Sequence, residues 1–181
     1  MSLATPFANL RVLDLSQGLA GPYCGMLLAH YGADVVKLEP PGGDWARSLG
    51  AQYGSHSALD AVCSRGKKSL ALDLKKDDAR ETARRIAAQC DVVIEGFRPG
   101  VVTKLGLGYR EVSASNPGVI YLSVSGFGQT GPYASRPATD MVLQAFSGMM
   151  SFNRDASGKP NRIGFLVADT ATALYAFQAV C

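Results

Sequence analysis

A chain of 181 residues, 47% hydrophobic and 18% charged, has the size and composition of one globular domain that buries about 70% of its unfolded surface. A formal net charge of +3 is too small for a nucleic-acid or membrane-surface binder and agrees with an anionic small-molecule ligand. No run approaches the ~20 apolar residues of a membrane span, and "MSLATPFANL" lacks the basic-then-apolar order of a secretion signal, so a cytoplasmic location is expected.

The first apolar run, "RVLDLS" (11–16), reads as a β-strand. "GPYCGMLLAHYGA" follows as a helix opened by Gly-Pro and closed by Gly32, and "DVVKLE" (34–39) is the second strand. Gly18, Gly21 and Gly25 are spaced G-x-x-G-x-x-x-G, not the G-x-G-x-x-G of a dinucleotide turn, so close strand-to-helix packing is their expected role. Residues 40–68, rich in Gly, Ser and charge, read as one long functional loop. "SLALDL" (69–74) is the third strand. The cations around it, Arg65, Lys67, Lys68, Lys75 and Lys76, form either a solvated cluster or a phosphate-holding set. "KKDDARETARRIAAQC" is a helix with Asp77 and Asp78 at its positive end and Ala79, Ala83, Ile86, Ala87 and Cys90 on one inward face. "DVVIEGF" (91–97) and "VIYLSVSG" (119–126) complete five strands of the kind covered on both faces. The alternation predicts a three-layer α/β fold, a parallel sheet with helices on both faces.

Ligands of such sheets lie beyond the carboxyl ends of the strands. There Gly96 allows close approach, Phe97 offers a ring face, and Arg98 and Lys104 offer charge, a set suited to an adenine nucleotide; an ordinary strand-to-helix turn is the alternative. A second loop, 125–140, carries three glycines, two prolines and Arg136. Asp140 precedes "MVLQAFSGMM", and Asp169 sits in "GFLVADTATALYAF"; each reads as a helix N-cap, a role that leaves one carboxylate oxygen free for chemistry. Only His30 and His56 are available for His-based metal or triad chemistry, and Cys24, Cys63, Cys90 and Cys181 are scattered, so they read as buried, reduced thiols. The last helical run stops without a C-terminal signal, so further polypeptide is expected beyond Cys181.

In order along the chain, "LRVLDLSQGLAGPYCGMLLAHYGADVVKLEPPGGDWAR", "RGKKSLALDLK", "CDVVIEGFRPGVVTKLGLGY", "NPGVIYLSVSGFGQTGPYASRPATD" and "GFLVADTATALYAF" closely resemble the family III CoA-transferases, a group that includes formyl-CoA, carnitine-CoA and bile-acid-CoA transferases and the 2-methylacyl-CoA racemases. The resemblance implies that residues 1–181 are the N-terminal part of a Rossmann-like CoA-binding large domain, with the small domain and the returning C-terminal segment absent. It implies that Asp169 is the nucleophile, acylated by a donor acyl-CoA to an anhydride and then converted to an aspartyl-CoA thioester that a second carboxylic acid displaces. Phe165, Leu166 and Val167 are expected to keep water away. It further implies CoA contacts at Leu19 and Ala20; at Leu72, Asp73, Leu74 and Lys75; at Gly96, Phe97, Arg98 and Lys104; and at Pro137, Ala138, Thr139 and Asp140. Acyl-CoA and a small carboxylic acid are the implied substrates, with no permanently bound cofactor, no metal and no nucleic acid, and a homodimer, interlocked in the family, is the implied assembly. Gly96 stands where the family often has Asn, and Pro40 where some transferases have a basic residue. Thr139 stands where racemases carry a proton-exchanging His, which favours CoA transfer over racemisation. A non-catalytic CoA-binding fragment is the remaining alternative.

Overall fold

The computed structural model describes residues 5–181. In chain order the first half contains β1 (Arg11–Asp14), α1 (Ala20–His30), β2 (Asp34–Glu39), a 3₁₀ turn (Trp45–Ser48), β3 (Gln52–Tyr53), β4 (His56–Ser57), α2 (Ala58–Cys63) and β5 (Lys68–Ala71). There follow α3 (Asp77–Ala87), β6 (Val92–Glu95), α4 (Val101–Lys104), α5 (Tyr109–Ser115) and β7 (Ile120–Ser123). The last three helices are α6 (Asp140–Phe146), α7 (Met149–Phe152) and α8 (Val167–Val180).

The five expected strands form one parallel sheet in the order β5-β2-β1-β6-β7. The order reverses on either side of β1, which opens a crevice beyond its carboxyl end. Side chains alternate between the two faces with period two. Val12, Val92 and Ile94 join Cys24 and Leu28 of α1 and Ala176 and Val180 of α8 in one layer. Leu13 and Val93 join Ala83 and Ala87 of α3, Leu107, and Val112 of α5 in the other. Each fully buried Leu or Ile contributes about 1.5–3 kcal/mol. The inward face of α3 is the expected one: Ala79, Ala83, Ala87 and Cys90 are buried and Ile86 is packed against them.

Glycine spacing in α1 has the packing role expected of it. A Cβ at Gly21 would run into the Ser16 side chain, and one at Gly25 would lie 2.9 Å from Asp14 Oδ2 and 3.0 Å from Lys67 Nζ. Cys24, Cys63 and Cys90 are buried, and burial pushes their thiols up to about 12, 11 and 11; Cys181 is exposed, against the expectation for it. No helix among the described residues is long and apolar enough to cross a membrane.

Residues 40–68 are not one loop. They hold the 3₁₀ turn, the β3–β4 hairpin and α2. Short side-chain caps start these pieces: Asp44 accepts from the Ala46 amide at 2.8 Å, and Ser57 from the Asp60 amide at 3.0 Å. Ion pairs then fasten them to the sheet. Lys37 Nζ lies 2.7 Å from Asp44 Oδ2, the Arg47 guanidinium grips both oxygens of Glu39, and Arg47 Nη1 lies 3.6 Å from Asp60 Oδ2. Caps and ion pairs leave no hydrophobic period to read, so pattern alone misses these elements.

Candidate active site

Beyond the carboxyl ends of β1, β2, β5 and β6 lies a cavity of about 210 Å³. Five of the expected CoA contacts, Leu72, Asp73, Leu74, Lys75 and Phe97, line it together. Asp73 Oδ1 accepts from the Lys75 amide at 3.1 Å, which folds the end of the "LDLK" run into a tight turn. Sequence reasoning missed Leu15, Gln17, Leu38 and Leu105, which complete the wall with Pro40. Gln17 had a legible signal, since it directly follows the first strand run. Apolar walls with a few polar groups suit a heteroaromatic ring.

Phe97 leads into an exposed turn. Gly96, Arg98 and Lys104 are solvent-facing there, and neither cation takes part in an ion pair among the described residues. Two of the cations around β5, Lys67 and Lys68, are engaged within the chain instead of standing free for a phosphate. The Lys67 side chain is buried, its Nζ 2.7 Å from Asp14 Oδ2 and 2.7 Å from the Pro22 carbonyl, and Lys68 pairs with Asp34 at 2.7 Å. A lysine that neutralises a buried carboxylate has no charge left for a ligand.

The turn between β1 and α1 is already filled by the chain itself. Gly18, with φ +85°, donates its amide to both oxygens of Asp44 at 3.1 and 3.2 Å, and the Trp45 ring packs where a Gly18 side chain would stand. A dinucleotide fold leaves the approach to this helix open for pyrophosphate; here the Asp44 carboxylate takes the Gly18 amide in the turn before α1. Leu19 and Ala20 begin α1 beside that plug, half-buried, and it is Gln17 that reaches the cavity.

Asp169 and Asp140 both lie further into their helices than an N-cap. Thr139 is the cap of α6, its Oγ1 accepting from the Val142 amide at 3.5 Å, and Asp140 is the first helical residue. The cap position of α8 is Leu166, which has no side chain to accept a hydrogen bond, and Asp169 is the third residue of that helix. Asp140 reaches across instead: its Oδ2 accepts from the amides of Ala168 at 2.7 Å and Asp169 at 3.1 Å. Its Oδ1 accepts from Gln144 Nε2, and Gln144 Oε1 accepts from the Ile163 amide at 2.8 Å. Burial pushes the Asp169 carboxyl above the usual range, and the nearby Asp140 charge pushes it further. No cation pairs with Asp169 among the described residues. The apolar cover expected beside it is partial in this chain: Leu166 and Val167 are half-buried, but Phe165 is 58% exposed. Pro137 is exposed, and Ala138 packs on Gly126, closing the 125–140 loop on itself.

The CoA-transferase family III model matches residues 7–181. The chain is 40% identical over 173 residues to the succinyl-CoA–D-citramalate CoA-transferase of Chloroflexus aurantiacus, covering 94% of this chain and 43% of that one. It is 38% identical over 182 residues to the human succinyl-CoA:glutarate CoA-transferase, covering 99% and 42%. Among solved structures, a CAIB/BAIF family protein from Brucella suis superposes with a TM-score of 0.93 at 40% identity, over 98% of this chain and 48% of that one. The Rv3272 protein of Mycobacterium tuberculosis superposes with a TM-score of 0.90 at 39% identity, over 97% and 49%. The chain thus spans about half the length of the curated relatives it matches. Its sheet, its motifs and these likenesses agree, and the chain belongs to CoA-transferase family III.

Proposed function

We propose that Asp169 is the nucleophile of a CoA-transferase and that residues 1–181 are the N-terminal part of its large, CoA-binding domain. The observation that carries this reading is a half-buried carboxylate in the first turn of α8, its pKa raised by burial and by Asp140, with no cation paired to it among the described residues. In the first step the Asp169 carboxylate attacks the thioester carbonyl of the donor, forming an acyl-aspartyl anhydride and releasing the CoA thiolate. The thiolate then attacks the aspartyl carbonyl, which frees the donor acid and leaves an aspartyl-CoA thioester. The acceptor carboxylate attacks that carbonyl in turn, making a new mixed anhydride. Returning thiolate takes the acceptor acyl group and restores Asp169. Each step exchanges one activated acyl bond for another, so the thioester energy is retained as long as water is excluded.

The cavity lined by Leu72, Asp73, Leu74, Lys75 and Phe97 is proposed to receive the adenine ring, with Arg98 and Lys104 holding phosphates. Gly96, Leu19, Ala20 and the 137–140 turn are proposed to line the path from there toward Asp169. The two curated relatives named above carry D-citramalate and glutarate in their names, so short diacids are the proposed acceptor class. Thr139, whose hydroxyl caps α6, offers no base for racemisation. A homodimer is proposed for the active protein, supported by the large apolar side chains this chain leaves open, Phe152, Phe165 and Tyr175 among them. A cytoplasmic setting is proposed from its free cysteines.

The test uses the full-length protein with succinyl-CoA, hydroxylamine and a panel of these acids. Mass spectrometry is expected to find a hydroxamate on Asp169, and Asp169→Ala is expected to abolish it and to cost at least about 10³-fold in transfer rate. A hydroxamate on another residue, or transfer that survives Asp169→Ala, overturns the proposal.

A further inference from the structure

We infer that Asp140 is the positioning residue for Asp169: from the first turn of α6 its carboxylate replaces the missing N-cap of α8 and holds the amides of Ala168 and Asp169. This rests on the reading of Asp169 as nucleophile. The opening amides of a helix need acceptors, and a cap side chain supplies one to the second or third helical residue. Ala168 and Asp169 are those residues, Leu166 has nothing to offer, and Asp140 serves both from 28 and 29 positions upstream.

The support is buried and complete on both sides. Asp140 is 5% exposed, with each oxygen engaged. Gln144, 1% exposed and one helical turn later, donates to Asp140 and to the Phe165 carbonyl at 3.3 Å while accepting from the Ile163 amide. Two side chains on one face of α6 therefore clamp the chain both before and at the nucleophile. A satisfied buried network of this kind restricts motion.

The same carboxylate sets the electrostatics. An uncapped helix start would stabilise the Asp169 anion and blunt its reactivity; Asp140 occupies those amides and adds a like charge. The other elements packed on α8 are α1, with Tyr23, Cys24 and His30, and β7, whose Tyr121 points to the opposite face of the sheet. Burial and the Asp140 charge are what raise the Asp169 carboxyl.

In the full-length protein, Asp140→Ala is expected to lower kcat about 10- to 100-fold while KM for the acyl-CoA stays within about twofold. Asp140→Asn keeps an acceptor for the amides of α8 but removes the charge, so the acid limb of its kcat–pH profile is expected to move to lower pH. A residue that merely stabilised the fold would leave that limb in place. Should Asp140→Ala fail to fold, Asp140→Asn decides alone. Unchanged kcat in Asp140→Ala, or an unmoved acid limb in Asp140→Asn, beside an inactive Asp169→Ala, overturns this inference alone. An active Asp169→Ala overturns the nucleophile reading and this inference with it.

Discussion

Glu39 is buried and Asp169 half-buried, yet their surroundings drive them in opposite directions. Around Glu39, burial raises the carboxyl, but the Arg47 guanidinium at 2.7 and 3.0 Å, the Ser69 hydroxyl at 2.7 Å and the Asp44 amide at 2.8 Å outweigh it and bring the value down to about 2. Asp14 follows the same rule: burial pushes it up, and Lys67 and Lys37 pull it below the usual range. Around Asp169, burial acts in the same sense, but the neighbour is Asp140 and the shift is upward. Desolvation is common to all three, and the charge of the partner decides the sign. Where cations are present the carboxylates build scaffold. Asp169 has no cation partner among the described residues, and an upward-shifted carboxylate without one is an electrostatic mark shared by many functional sites.

Lys67→Ala attacks this contrast most directly, because it leaves Asp14 buried with only its Ser16 hydrogen bonds and the more distant Lys37. Breaking such a pair is expected to cost about 3–5 kcal/mol in urea unfolding, and a loss below about 1 kcal/mol would show the pair to be idle. Glu39 supplies the pH test. Its folded value lies below its ordinary 4.5, so its contribution is complete above that pH and is lost as the pH falls through about 2. The full span is worth about 3 kcal/mol, and Glu39→Gln is expected to flatten the pH dependence of unfolding across that window. The smallest effect belongs to the exposed cations of the proposed CoA turn. Arg98→Ala and Lys104→Ala are each expected to weaken CoA binding about 10-fold and dephospho-CoA binding less. Equal losses in calorimetric titration would move the 3′-phosphate elsewhere.

Local regularity is what this sequence displays most openly. The Val/Ile/Leu runs of the five strands, the 3.6-residue face of α3 and the G-x-x-G-x-x-x-G spacing in α1 each declare themselves within a dozen residues, and the structure bears them out. The "LDLK" and "GFRPG" stretches were equally legible as motifs, and five of their residues with the "VAD" aspartate made the core of the expected site. Residues 40–68 were opaque for the opposite reason: their pieces are two to six residues long and are held by charge pairs instead of an apolar stripe.

By itself, then, the sequence determined the layers of the fold, the strands whose ends form the cavity, and the place of Asp169 at the start of the last helical run, because propensity and periodicity act between near neighbours. Only the tertiary structure decided that Lys67 belongs to Asp14 while Arg98 and Lys104 face solvent, that Asp44 binds the turn before α1, and that Asp140 caps the helix of Asp169. Those partners stand 53, 26 and 28 residues apart in the chain. Pairing over such separations depends on strand order, helix docking and burial, and no local pattern encodes it.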